Sequence, residues 1–267
     1  MKTIKKILKW FVLPLLIIFI GFNVWIYFNQ ELMTFFPYEL EQDHQFDFRN
    51  TTFEEGKVYT ESDGEISYIK FKAFGERKGL VFHSHGNAGN MQTSAGAYEF
   101  WTKNGYDYII WDYAEFGKST GDLDEATFLK TAKEVFAKLK EDYDEDEIIL
   151  QGHSLGTSVT LYLAKKFEVK KVVLLAPFYD IIDMAKLRFP VADWMVSFPL
   201  NSSKFIKEVD EPILIFHGNK DETIPIEQGI KLSKLKKDAE FVLIDGQPHS
   251  RIEQTFMYQE KVLQFVK

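Results

Sequence analysis

The sequence predicts an α/β fold, a mostly parallel central sheet with helices on both faces. Three observations predict it. Short, largely apolar runs recur at 80–84, 108–111, 148–150, 172–175, 213–216 and 241–244. Stretches with helical spacing of apolar residues separate them, at 90–103, 124–139, 154–167, 225–235 and 252–266. Strands apolar on both sides must be covered on both faces, and strand–helix alternation builds parallel sheets. Third, 267 residues with 45% hydrophobic and 27% charged content suit one folded domain of this size.

The N-terminus carries Lys2, Lys5, Lys6 and Lys9, then an apolar run at 10–28 broken only by Pro14, Gly21 and Asn23. At about 1.5 Å per residue such a run reaches across a hydrocarbon core of about 30 Å. Trp10, Trp25 and Tyr27 stand near its ends, where amphipathic rings favour the interface. A cleaved signal peptide has a shorter core, about 7–15 residues, and a small-residue cleavage site. Here the run is longer and 23–28 is bulky, so an uncleaved transmembrane helix is expected, ahead of a cleaved signal or a buried soluble helix. Lysines before the span place the N-terminus in the cytoplasm and the rest of the chain outside.

Residues 29–57 read as a polar, Phe-rich connecting segment without an assigned element, and 58–267 as the α/β domain. A strand at 65–73 follows a turn at Asp63-Gly64. The strand at 80–84 ends at His85-Gly86, and the helix at 90–103 is closed by Asn104-Gly105. Asp124 is a plausible cap for the helix at 124–139. Residues 147–151 form the next strand. Residues 178–211 interrupt the alternation; with Phe189, Trp194, Phe198 and two prolines they read as a small inserted cap.

A net charge of −8 argues against nucleic acid as a partner, since phosphate binding needs clustered Lys and Arg. The absence of cysteine excludes disulfides, thiolate nucleophiles, zinc–thiolate sites and iron–sulfur clusters. Gly152-His153-Ser154-Leu155-Gly156 fits G-x-S-x-G. The glycines matter because serine there occupies a strained turn that the backbone passes closely. Chance supplies roughly 0.1 such matches in a chain this long, so the context carries weight: an apolar strand precedes the match and a helix follows.

A serine hydroxyl needs a base to take its proton and a carboxylate to orient that base. On this architecture the chain order is Ser, acid, His. Only His217 and His249 follow Ser154. His249 lies after the last strand and is the expected base, while His217 ends the preceding strand and reads as a hydrogen-bonded strand-end residue. Asp221 is the leading acid, then Asp245, then Glu222. The oxyanion hole is expected from the amide of Leu155 and, in the loop His85-Gly86-Asn87-Ala88-Gly89-Asn90, the amide of Asn87. That loop lacks the Gly-Lys-Ser/Thr ending of a phosphate loop. His83 and His85 share a strand face but have no third ligand, so no metal is expected.

On these residues the sequence resembles the α/β-hydrolase superfamily, and within it the Bem46-like group of membrane-anchored serine hydrolases. The resembling pieces are residues 85–90, Tyr113-Ala114-Glu115-Phe116-Gly117-Lys118-Ser119, residues 152–156, His217-Gly218-Asn219-Lys220-Asp221 and Pro248-His249. The resemblance implies ester, thioester or amide hydrolysis through an acyl-enzyme, without a cofactor, on Ser154, Asp221 and His249. One departure is visible: relatives more often read Tyr-Arg-Gly-Tyr-Gly where this chain has 113–117. The leading expectation is a carboxylic-ester hydrolase for a small-molecule or acyl, lipid-like substrate, with an apolar pocket shaped by 178–211. A thioesterase or peptidase on the same triad is the enzymatic alternative. A non-catalytic membrane-tethered binding protein is the alternative of another class.

Overall fold

A computed structural model of the chain describes residues 8–49, 51–61, 64–123, 126–198 and 200–267. The basic residues at 1–7, the turn residue Asp63 and the cap Asp124 lie outside them. The central sheet has eight strands: β1 (Phe53–Thr60), β2 (Gly64–Phe71), β3 (Gly79–Ser84), β4 (Tyr106–Trp111), β5 (Ile148–His153), β6 (Lys171–Leu175), β7 (Ile213–Gly218) and β8 (Glu240–Ile244). Their spatial order is β8-β7-β6-β5-β3-β4-β2-β1, and only the β4–β2 and β2–β1 pairs are antiparallel. The chain therefore turns back across the sheet between β3 and β5. That is where open α/β sheets bind ligands, beyond the carboxyl ends of the strands.

The helices are α1 (Leu13–Phe28), α2 (Gln30–Thr34), α3 (Met91–Ser94), α4 (Tyr98–Lys103), α5 (Phe128–Leu139), α6 (Leu155–Ala164), α7 (Ile181–Arg188), α8 (Ser202–Phe205), α9 (Ile226–Ser233) and α10 (Phe256–Phe265). Successive residues of a strand point to opposite faces, and two cores follow from that. Leu80, Phe82, Ile148, Leu150, Val172 and Leu174 pack beneath α5 and α6. Val81, Ile149, Val173, Leu214 and Phe216 pack beneath α3, α4 and α10. This confirms helices on both faces of a mostly parallel sheet.

The apolar helix runs as a π-helical turn over Leu8–Val12 into α1; Lys9–Phe28 is 20 residues, long and apolar enough to cross a bilayer. Most of its side chains are exposed, but Asn23 and Ile26 are buried. Phe22 meets Phe189 at 5.9 Å between ring centroids, and Gln30 exchanges hydrogen bonds with Met195 O (2.9 Å) and Ser197 N (2.9 Å). The helix thus leans on residues 189–197. Within 178–211, Phe198, Leu200, Phe205, Ile206 and Val209 are buried in the core under α5 and α6, so much of this insertion packs the sheet.

Residues 29–57 are more structured than a connection. β1 is the edge strand, and Phe35, Phe46 and Phe48 are buried. Phe36–Pro37 pairs in parallel with Ala88–Gly89. The stretch expected as one helix at 90–103 is two, α3 and α4, separated at Ala95-Gly96-Ala97.

Candidate active site

Ser154 stands between β5 and α6 with φ 54° and ψ −120°. Few non-glycine residues adopt that conformation without surroundings that enforce it. A Cβ on Gly152 would strike Thr160 Oγ1 and the Gly156 carbonyl, and one on Gly156 would strike the Ser84 and His85 carbonyls. The turn is pinned by Ser154 N–H donating to Leu175 O (2.9 Å) and Thr157 Oγ1 donating to Ser154 O (2.6 Å).

The loops after β7 and β8 meet at the same edge. His249 Nδ1 donates to Asp221 Oδ2 at 2.7 Å. Asp221 Oδ1 accepts the amides of Thr223 (2.9 Å) and Ile224 (2.8 Å). His217 Nε2 donates to Ile224 O (3.0 Å) and lies 3.3 Å from Asp221 Oδ2. Burial alone raises the Asp221 pKa. Hydrogen bonds from His217 and His249, the charge of His249 and the Ile224 amide outweigh it and hold the carboxyl well below the usual range. Asp245 is engaged elsewhere, accepting from Asn219 Nδ2 at 2.7 Å, and Glu222 is exposed. His153 Nε2 donates to His249 O (3.0 Å), with the rings 4.9 Å apart. Burial and the neighbouring His249 push the His153 pKa down to about 4, so His153 is a neutral donor that holds the His249 backbone.

Ser154 and His249 line one cavity of about 600 Å³, without a hydrogen bond between the serine hydroxyl and the ring. Gly86, Asn87 and Ala88 form one wall, Thr93, Ser94, Gly96 and Ala97 another, and Arg251, Glu253 and Gln254 a third. The wall mixes polar groups with Ala88, Ala97 and Leu175, and none of the described residues of 178–211 lines it, so the apolar pocket expected from that insertion is not at this cavity. Among the described residues no protein acceptor engages the amide of Asn87 or Leu155. The His85 ring is committed below the loop: Nδ1 donates to Gly86 O (2.7 Å) and Nε2 lies 3.3 Å from Asp112 Oδ1. His83 takes a hydrogen bond from Gln151 Nε2 (3.1 Å) and stacks on Tyr108. The two histidines have separate partners.

The family model described as serine aminopeptidase, S33, matches residues 75–208, half of the chain. The chain belongs to this family. It is an enzyme of the α/β-hydrolase superfamily; the narrower Bem46-like likeness rests on the motifs alone. Among curated relatives, α/β-hydrolase domain-containing protein 17C of Xenopus laevis is 29% identical over 199 residues, covering 72% of this chain and 62% of its own. Lysophosphatidylserine lipase ABHD12 of Macaca fascicularis is 29% identical over 182 residues, covering 60% of this chain and 46% of its own. The chain thus spans less than two thirds of these relatives. Among solved structures, the Pyrococcus furiosus esterase superposes with a TM-score of 0.69 at 19% identity, covering 87% of this chain and 96% of that one. Est1E from Butyrivibrio proteoclasticus superposes with a TM-score of 0.65 at 20% identity, covering 79% and 96%. At these identities the superpositions establish the hydrolase fold.

His217 is the hydrogen-bonded strand-end residue expected from the sequence, and the structure adds its nearness to Asp221. His153 escapes the sequence reading as a participant; it ends β5 at the carboxyl edge of the sheet, and that position is the signal that could have found it. Glu115, the departure at 113–117, has φ 66° and accepts from Leu123 N at 3.0 Å. A left-handed position where relatives carry glycine is held here by a carboxylate that caps the following loop.

Proposed function

We propose that the protein is a serine hydrolase that cleaves carboxylic esters, lipid or other acyl esters included, through an acyl-enzyme. The observation that carries the reading is the 2.7 Å His249–Asp221 hydrogen bond at a cavity that also holds Ser154 on its strained elbow. Asp221 stays ionised and fixes the His249 tautomer with Nε2 free to accept. Ser154 Oγ attacks the ester carbon as its proton passes to His249 Nε2. Negative charge on the carbonyl oxygen is met by the amides of Asn87 and Leu155. Collapse expels the alcohol, which takes the proton from His249. Water then repeats the sequence on the acyl-enzyme, releasing the acid and Ser154.

The lipase and esterase names among the relatives and structural neighbours support an ester substrate. The apolar helix supports a membrane location; the lysines before it are the ground for the orientation proposed, with the N-terminus cytoplasmic and the catalytic domain outside. A second reading, amide hydrolysis, is favoured by Glu253: it lines the cavity without a side-chain partner among the described residues, and burial raises its pKa. Such a carboxyl suits a substrate that brings an amine. The test of the first reading is turnover of p-nitrophenyl esters of increasing chain length beside aminoacyl amides, by the full chain in detergent. Asp221→Asn is expected to lower kcat by about 10⁴-fold with folding kept. Turnover that survives Asp221→Asn and collapses in Asp245→Asn overturns the acid assignment.

A further inference from the structure

We propose that residues 34–38, the stretch that leaves the apolar helix, are a positioning element for the oxyanion amide of Asn87, with the N–H of Phe36 as the positioning group. The inference rests on the reading of Asn87 as an oxyanion donor.

A peptide N–H points reliably only if the planes on both sides of its Cα are fixed. On one side, Gly86 O accepts from His85 Nδ1 at 2.7 Å. On the other, Asn87 O accepts the Phe36 amide at 2.7 Å, and Asn87 Nδ2 donates to Thr34 O at 2.5 Å. The backbone N–H of Asn87 has no protein acceptor among the described residues. The pairing continues with Tyr38 N–H to Gly89 O (2.9 Å) and Asn90 Nδ2 to Tyr38 O (3.1 Å). Donors alternate along this parallel pair, so Pro37, which lacks an N–H, falls where none is needed. Phe35 anchors the segment: it is 4% exposed, with ring centroids 4.9 Å from Phe198 and 5.4 Å from Phe128. Thr34 follows α1 by six residues, so the oxyanion loop is tied by a short tether to the membrane helix.

The test uses the full chain in detergent micelles. Phe36→Pro deletes one N–H, and Phe35 at φ −115° and ψ 139° already has the conformation that a following proline requires. Phe36→Ala keeps the N–H. The expected result is a kcat at least tenfold lower in Phe36→Pro than in Phe36→Ala, with KM within about threefold and fluorophosphonate labelling slowed in parallel. Loss of an entire oxyanion donor costs roughly 10²–10³-fold, so misalignment should fall at or below that range. If Phe36→Pro gives no melting transition, Asn87→Ala, which cuts the link to Thr34 and keeps the Asn87 amide, is expected to lower kcat in the same direction. Folded variants with kcat within twofold of each other and of wild type overturn the inference. If wild type itself is not labelled at Ser154, it is the underlying reading that fails.

Discussion

At the scale of the residue, Ser154 is held in a left-handed conformation by glycines that admit no side chain and by hydrogen bonds from both flanks. Histidine 153, between Gly152 and Ser154, carries a consequence for stability. Its pKa in the fold is about 4, below the ordinary 6.5, because burial and His249 disfavour its charge. The unfolded chain therefore binds more protons between those values, and stability falls as pH drops through that window. His83, held well below its usual value by burial and by His153 and His85, acts in the same direction. His153 alone is expected to cost about 1–2 kcal/mol at pH 5 relative to pH 8. Melting of the micellar protein at the two pH values should show that loss in wild type and a smaller one in His153→Gln. An equal loss in both contradicts the assignment.

At the scale of the element, β5, the elbow and α6 were legible because the apolar run, the glycines and the helical spacing are all local. Replacing Gly156 by alanine drives a methyl into the Ser84 and His85 carbonyls of neighbouring β3 and its loop. Since backbone cannot yield as a side chain does, the cost is expected to exceed about 3 kcal/mol. A thermal melt of Gly156→Ala within a degree or two of wild type contradicts this. β1 was not legible. Glu54, Glu55 and Lys57 are an edge strand's solvated positions, and Gly56 weakens the strand pattern further. Phe36–Pro37 was hidden for another reason: its partner, Ala88–Gly89, is 52 residues away in sequence. The helix at 90–103 breaks where Gly96 lies against Glu253, a contact that no local pattern encodes.

At the scale of the molecule, α1 packs on residues 189–197 and feeds directly into the segment that pairs with the loop of Asn87. Trp194, 78% exposed on that insertion, is placed beside the emerging helix. With α1 in a bilayer, Trp194 is expected near the headgroups, where such rings are stable. Its fluorescence should be quenched by brominated lipid in vesicles, and quenching equal to that of a deeply aqueous quencher control contradicts the placement. Alkaline carbonate should leave the full chain in the membrane, and release into the supernatant contradicts the anchor. The candidate triad was legible by chain order and strand ends, whereas the mixed lining of the cavity was not, because residues from separate segments far apart in sequence build it. The central claim concerns one oxygen atom, Ser154 Oγ. Treating the full chain with a fluorophosphonate and mapping the adduct by peptide mass spectrometry tests it most directly. The account predicts a single adduct on Ser154, abolished in Ser154→Ala and strongly slowed in His249→Ala. A folded wild type that takes no label, or takes it elsewhere, contradicts it.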